Sequence, residues 1–176
     1  MASEQASLHR SFDRGPEWSL PPDAIYAIIS LVKVTADTNI LYQAVCSGLG
    51  ASNAILQLVR GGDLQLAISL PVYEEYCAVL SRLQVHKATG LSQVDIDAVL
   101  EFIALAGIPT PIDFLWRPNL KDEADNMFVE LAVASGSEYL ITRNLRHYSI
   151  GNTLLFDSFT VVTPAEFLTQ WRKIHG

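Results

Sequence analysis

The chain has 176 residues, with 19 acidic against 12 basic side chains and a formal net charge of −7. Such a surface repels phosphate backbones, which excludes a broad nucleic-acid-coating role but allows a small site in which acids hold a cation. With 49% hydrophobic residues, the chain can bury one sizeable core, and a disordered protein is excluded.

Residues 1–30 are predicted to form an N-terminal arm or extension, and residues 31–176 to form the folded domain. The arm ends in an apolar run, residues 24–32, which is too short to span a bilayer and follows no basic leader. Cys46 and Cys77 form no C-x-x-C pair and are expected to be buried in a reducing compartment. These features predict a cytoplasmic protein with no membrane partner.

The first half of the domain alternates predicted strands and helices. Apolar segments predict strands over residues 31–36 and 64–69. A helix over residues 52–60 closes at a Gly-Gly pair, and Pro71 opens the next helix, which covers residues 72–83. The alternation of short strands with longer amphipathic stretches is typical of βαβ units.

The next helix is predicted over residues 92–107, with Ser92 as its cap. Its buried face is expected to comprise Val94, Ala98, Phe102 and Leu105. A proline-broken extended piece follows at residues 109–116, and its aromatic residues are read as core rather than interface.

The second half of the domain repeats the pattern. A helix over residues 122–136 begins at Asp122 and ends at a glycine. Strands are predicted over residues 138–142 and 159–163, and Pro164 starts a C-terminal helix. Right-handed βαβ crossovers then give an α/β fold, a parallel sheet covered by helices on both faces.

Polar residues gather at the predicted strand ends and helix starts. In open α/β sheets, ligands bind beyond the carboxyl ends of the strands, where the strand order reverses. Asp37 directly follows the first strand, so it lies where a site is expected. The other polar residues at such positions are Glu74, Glu75, Asp122, Asp125, Thr142, Arg143 and Asn144.

Converging carboxylates favour a bound cation, because they repel one another and burial raises the pKa of each. Oxygen ligands without a His/Cys cluster select Mg²⁺ or Mn²⁺, which supports phosphodiester hydrolysis. Each acid also has a plainer interpretation. Asp37 is suited to a turn or helix cap, Asp122 to an N-cap, and one of Glu74 and Glu75 must face solvent.

Four sequence blocks together resemble the PIN domain family, in particular the VapC-like toxin components of toxin–antitoxin pairs. In chain order, the blocks read "ADTNIL", "SLPVYEEYCAVLSR", "KDEADNMFVELAVASGSEYLITRN" and "VVTPAEFL". The resemblance spans roughly residues 32–171. It implies a three-layer α/β/α sandwich with a central, parallel, Rossmann-like sheet. It also implies a cytoplasmic Mg²⁺- or Mn²⁺-dependent endoribonuclease that forms a homodimer, acts on RNA and is neutralised by an antitoxin protein.

The resemblance also implies roles for individual residues. Asp37, Glu75 and Asp125 match the catalytic, metal-binding acids of the family. Asn39 and Thr142 match the polar residues that support those acids. Apart from the resemblance, the position of Arg143 and Arg146 just past a strand end suits contacts with an RNA backbone, although surface arginines with no such task are commoner.

This chain departs from the family pattern where many members carry a fourth acid. The segment reads "TRNLRHY", so Asn144 stands at one such position and His147 at another. Asn144 can still support the ion, and Asp122 can supply the missing carboxylate, but a second metal site is in doubt.

Two alternatives to the nuclease stay open on this sequence. The departure at the fourth acid allows a catalytically weakened PIN-fold binding module. An aspartyl-nucleophile phosphatase also begins with an acid after strand one. Its D-x-D motif, however, requires an acid where Asn39 stands.

Overall fold

Five parallel strands form the centre of the structure, a computed structural model that describes residues 31–113, 120, 122–149 and 157–175. In chain order the strands are β1 Lys33–Ala36, β2 Gln65–Ile68, β3 Ile108–Pro109, β4 Tyr139–Ile141 and β5 Thr160–Val162. They lie side by side in the order β3-β2-β1-β4-β5. Residues 1–30 lie outside the described part, so the predicted arm and its boundary stay a prediction.

Helices connect and flank the strands. They are α1 Thr38–Cys46, α2 Ala51–Gly61, α3 Leu70–Leu80, α4 Leu83–Thr89, α5 Gln93–Ala106, α6 Asn126–Ser135 and α7 Pro164–His175. Helix α6 packs on β1, β2 and β4 and contacts α3, while α1 contacts α2, which contacts α7. The predicted α/β class, a parallel sheet within an α/β/α sandwich, is confirmed. Within the ranges described, none of these helices has both the length and the apolar character needed to cross a membrane.

Strand β1 occupies the middle of the sheet and is covered on both faces. Val34, Thr35 and Ala36 are at most 1% exposed, as expected for a strand with helices above and below it. The chain extends the sheet first through β2 and β3 on one side, and then through β4 and β5 on the other. The strand order therefore reverses between β1 and β4, and the carboxyl ends of these two strands flank the crevice there.

The predicted buried face of α5 is wrong, although Phe102 from that face is half-buried and packs against the core. Val94 and Leu105 are 75% and 87% exposed, whereas Ile96, Leu100 and Ile103 are buried. The helix carries apolar residues on more than one face, so periodicity alone does not select the face that packs. Contacts with α3 and β2 select the Ile96 face.

Other boundaries differ from the predictions for local reasons. The helix predicted over residues 72–83 ends at Leu80, and a separate helix, α4, follows. The proline-rich piece supplies β3, an edge strand, where a residue without an N–H is tolerated. Its aromatic residues at 114 and 116 lie outside the described residues. Cys46 and Cys77 are free but only half-buried.

We expect the cap of α5 to make stability depend on acid pH. The hydroxyl and backbone N–H of Ser92 donate to Asp95 Oδ2 at 2.6 and 2.8 Å and lower the pKa of Asp95 below 3.8. A lowered folded-state pKa adds stability that is complete above the unfolded value of 3.8 and is lost as the pH falls through the folded value. The difference in unfolding free energy between the wild type and Asp95→Asn should therefore shrink as the pH falls from 3.8 through the lowered pKa of folded Asp95. Urea denaturation from about pH 7 to about pH 3 measures it.

The control is Asp97→Asn, which removes an equal charge from the same helix without touching the cap. It should leave the free energy of unfolding at neutral pH unchanged. An equal loss of stability in both variants would contradict the role of the cap.

Candidate active site

Asp37 lies directly after β1 and is only 6% exposed. Its Oδ2 accepts hydrogen bonds from Thr142 Oγ1 at 2.7 Å, Asn39 Nδ2 at 2.7 Å and Tyr148 OH at 3.1 Å. Its Oδ1 accepts one bond within the described part of the chain, from the backbone N–H of Asn39 at 3.2 Å, which caps α1. The helix cap predicted for Asp37 is therefore present. It uses Oδ1, the oxygen that accepts from none of these side-chain donors.

Thr142 and Asn39 tie the ends of β4 and β1 together. Thr142 Oγ1 accepts from Asn39 Nδ2 at 3.2 Å and from the backbone N–H of Asn144 at 3.0 Å. Asn39 Oδ1 accepts from the backbone N–H of Arg143 at 3.0 Å. Since each polar atom of the two side chains has a partner, their rotamers are fixed, and so is the carboxylate that they bind.

A second group of titratable side chains comprises Asp122, Asp125 and His147, whose ligand atoms lie within 4.8 Å of one another. Asp125 Oδ2 is 2.9 Å from His147 Nδ1, and the two side chains are 13% and 44% exposed. Asp122 caps the short 3₁₀ turn Glu123–Asp125 that precedes α6 and is exposed. The sequence did not assign His147 to the site, and the structure adds it.

Side chains from both groups line one cleft of about 370 Å³, the acidic cleft. Asp37 and Asn39 contribute from the β1 end, and Asp122, Asp125, Asn144 and His147 from the α6 and β4 ends. Tyr42 and Arg82 also line it. A neighbouring cleft of about 730 Å³ shares Asp122, Asn144 and His147 with the first and adds Arg143 and Arg146. The predicted polar residues, with the exceptions of Glu74 and Glu75, therefore line these clefts or, in the case of Thr142, bind Asp37 behind them.

Glu75 lies outside the cluster of ligand atoms that the described residues form. It is half-buried on α3, one turn before Val79, which lines the acidic cleft. The neighbouring Tyr76 is fully buried and stacks on Phe128. Glu75 thus faces the same side of α3 as the cleft, and its ligand role stays a prediction.

Two pKa shifts reflect the crowding of negative charge. Burial, followed by the Asp37 carboxylate, raises the pKa of Asp125, while the hydrogen bond with His147 opposes the shift. Burial and the charge of Asp37 also raise the pKa of Tyr148 well above its ordinary value. Tyr148 therefore stays a neutral hydrogen-bond donor, and Asp125 gains from any nearby cation.

These donors fit a divalent cation. Asp122, Asp125 and His147 each offer a ligand atom within 4.8 Å of the other two, and the 2.9 Å contact between Asp125 and His147 is a hydrogen bond that a bound ion would replace. The hydroxyl of Thr38, which lines the same cleft, is buried and has no hydrogen-bond partner among the described residues. His147 adds a nitrogen to the oxygen donors that the sequence predicts, and which of them bind an ion stays a prediction.

Several of these residues carry no motif that would predict a role in the site. Tyr148 lies in the quoted segment "TRNLRHY", but a tyrosine after a histidine has no motif that marks it as a carboxylate donor. Tyr42 lies on α1 and Arg82 between α3 and α4, and the packing of α1 against these two helices brings both residues to the cleft.

Comparison with protein families finds a match to the PIN domain over residues 33–146, more than half of the chain. The match begins at the first residue of β1 and ends in the 3₁₀ turn Leu145–Tyr148, so it includes Asp37, Asp122 and Asp125 and stops one residue before His147. No curated protein matches the chain in a sequence search.

We expect Thr142→Val to destabilise the fold by about 1–3 kcal/mol, because it removes a donor from a buried carboxylate and an acceptor from two N–H groups. The matched control is Thr35→Val, since Thr35 is equally buried and its hydroxyl pairs with Ser137 Oγ at 3.0 Å. Ser137 keeps a second partner, Ser135 Oγ, so this control should cost less. Chemical denaturation measures the free energy of unfolding of both variants. Equal losses of stability would show that the hydrogen bonds around Asp37 contribute no more than the bond between Thr35 and Ser137.

Proposed function

The chain belongs to the PIN domain family, and from this premise we propose that it is a metal-dependent endoribonuclease that hydrolyses RNA phosphodiester bonds. PIN domains are generally nucleases. One observation supports the metal dependence above the others. The buried carboxylate of Asp37 shares a cleft with Asp125 and His147, so negative charge is concentrated where a cation can bind.

In this proposal, some residues of the site bind the ion and others hold the ligands in position. Asp37 and Asp125, with Glu75 as the third acid, bind the ion, while Asn39 and Thr142 hold Asp37 in place. A bound Mg²⁺ or Mn²⁺ supplies Lewis-acid stabilisation of the charge that develops on a phosphoryl oxygen and lowers the pKa of a bound water.

Positive side chains beside the acidic cleft fit the phosphates that flank a scissile bond. Arg143 and Arg146 line the larger cleft, which shares residues with the acidic one, and Arg82 lines the acidic cleft itself. Arg143 donates to Gln43 Oε1, which holds its guanidinium at the surface. On a chain with a net charge of −7, these arginines supply local positive charge that attracts the phosphates of an RNA backbone.

The donor set favours Mn²⁺ over Mg²⁺. Mg²⁺ is bound almost entirely through oxygen, whereas an imidazole nitrogen such as that of His147 suits transition metals. His147→Gln, which offers an amide oxygen in place of the nitrogen, should therefore weaken Mn²⁺ binding more than Mg²⁺ binding.

Cleavage of a mixed RNA pool tests the proposal. We expect cutting in Mn²⁺, less in Mg²⁺ and none in EDTA. Asp37→Asn and Asp125→Asn should each lower the rate by at least about 100-fold, because each removes a charged ligand. Glu75→Gln tests the third acid in the same assay. Asp97→Asn, an exposed acid on α5, is the control and should cut like the wild type.

Two results would contradict the metal-dependent nuclease. Cutting that persists in EDTA, or that is unchanged in both aspartate variants, would exclude catalysis through this cluster. A wild-type protein that neither cuts RNA nor binds Mn²⁺ would instead favour the catalytically weakened binding module. Binding of Mn²⁺ without cutting of the pool would point to a narrower RNA target.

We further propose that the enzyme is the toxin of a toxin–antitoxin pair and forms a homodimer, as its VapC-like sequence blocks imply. A neutralising partner of such a site is expected to place an Arg or Lys among the carboxylates of the acidic cleft. A partner that co-purifies with the chain should then bind the doubly neutralised Asp37→Asn/Asp125→Asn variant more weakly. Unchanged affinity would show that the partner does not use the acidic cleft.

A further inference from the structure

We propose that Tyr148 is a positioning residue for Asp37: its hydroxyl helps to hold one carboxylate oxygen, so that the other faces the cation. The inference rests on the proposed metal site and extends it to a residue outside the predicted ligands. Tyr148 ends the 3₁₀ turn Leu145–Tyr148 and is fully buried.

The distribution of donors over the two oxygens of Asp37 is uneven. Oδ2 accepts from Asn39, Thr142 and Tyr148, which is more than its two lone pairs can take in ideal geometry. Among the described residues, Oδ1 accepts a single, longer bond at 3.2 Å from a backbone N–H. The oxygen with spare acceptor capacity toward a cation is therefore Oδ1, and the donors on Oδ2 prevent the carboxylate from turning.

Tyr148 also couples the two acidic groups. Its neighbour in the chain, His147, contacts Asp125, so one short turn carries a donor for Asp37 and a partner for Asp125. Anchoring the Tyr148 hydroxyl on Asp37 fixes this turn against the end of β1. Loss of that anchor would loosen both sides of the ligand set at once.

Partners that orient a metal ligand typically contribute about 10–100-fold to metal affinity or activity. Tyr148→Phe removes the hydroxyl alone and keeps the packed ring. Because two other donors remain on Oδ2, we expect the lower end of that range, a weakening of Mn²⁺ binding by about 10-fold.

Tyr76→Phe is the matched control. Tyr76 is as fully buried as Tyr148, and its hydroxyl donates to the backbone carbonyl of Ala36 instead of a carboxylate. Both substitutions delete one buried hydroxyl and its hydrogen bond. A purely structural role for Tyr148 therefore predicts the same outcome for both variants.

The experiment titrates Mn²⁺ into the full chain and follows the electron paramagnetic resonance signal of the free ion. It compares the wild type, Tyr148→Phe and Tyr76→Phe, with the Tm of each taken by circular dichroism. We expect the Kd of Tyr148→Phe to rise about 10-fold and that of Tyr76→Phe to stay within about twofold, even where both lose thermal stability. Mn²⁺ well above the weakened Kd should then restore RNA cleavage by Tyr148→Phe.

An unchanged Kd in Tyr148→Phe, or an equal rise in both tyrosine variants, would overturn the positioning role while leaving the nuclease proposal intact. A wild-type chain that binds no Mn²⁺ would overturn both. Failure of excess Mn²⁺ to restore cleavage would also contradict a role exerted through the ion.

Discussion

The buried carboxylate of Asp37 is the constraint around which the carboxyl edge of the sheet is built. A carboxylate that is taken out of water is strongly destabilising unless hydrogen bonds or opposite charge replace its hydration. Its donors come from the first turn of α1, the end of β4 and the turn after β4. Only a sheet that places β4 directly beside β1 brings these segments together, so the strand order and the site depend on each other.

The cleft has one buried side and one more exposed side. Asp37 is buried and held on both oxygens, whereas Asp122 and His147 lie in exposed or half-exposed short turns. Asp125 lies between these two sides, and the charge of Asp37 acts on its pKa. Such an arrangement suits an ion that must be held firmly on one side while the other side accommodates a substrate phosphate and a water.

The sequence predicts the sheet and Asp37 well because both follow from local pattern. A buried apolar strand that stops on an acid is visible in "KVTADTN", and parallel strands bring the residues at their carboxyl ends to one edge. The buried face of α5 could not be predicted, since its apolar residues lie all round the helix and only contacts with α3 select Ile96. Strand β3 is not predicted, because Pro109 lacks the backbone N–H that a strand interior normally uses. The sequence marks His147 only as a departure from the family's fourth acid and does not mark Tyr148, because their contacts with Asp125 and Asp37 join residues that are far apart in the chain.

The large distance along the chain between Asp37 and its donors determines when the site can form during synthesis. Thr142 and Tyr148 reach Asp37 across 105 and 111 residues of chain. During translation, the segment that carries Asp37 and the early helices leaves the ribosome long before these donors are made. A nascent chain therefore cannot assemble the complete network until synthesis has passed residue 148. A protein that cuts RNA would in this way stay inactive until that part of its chain has been made.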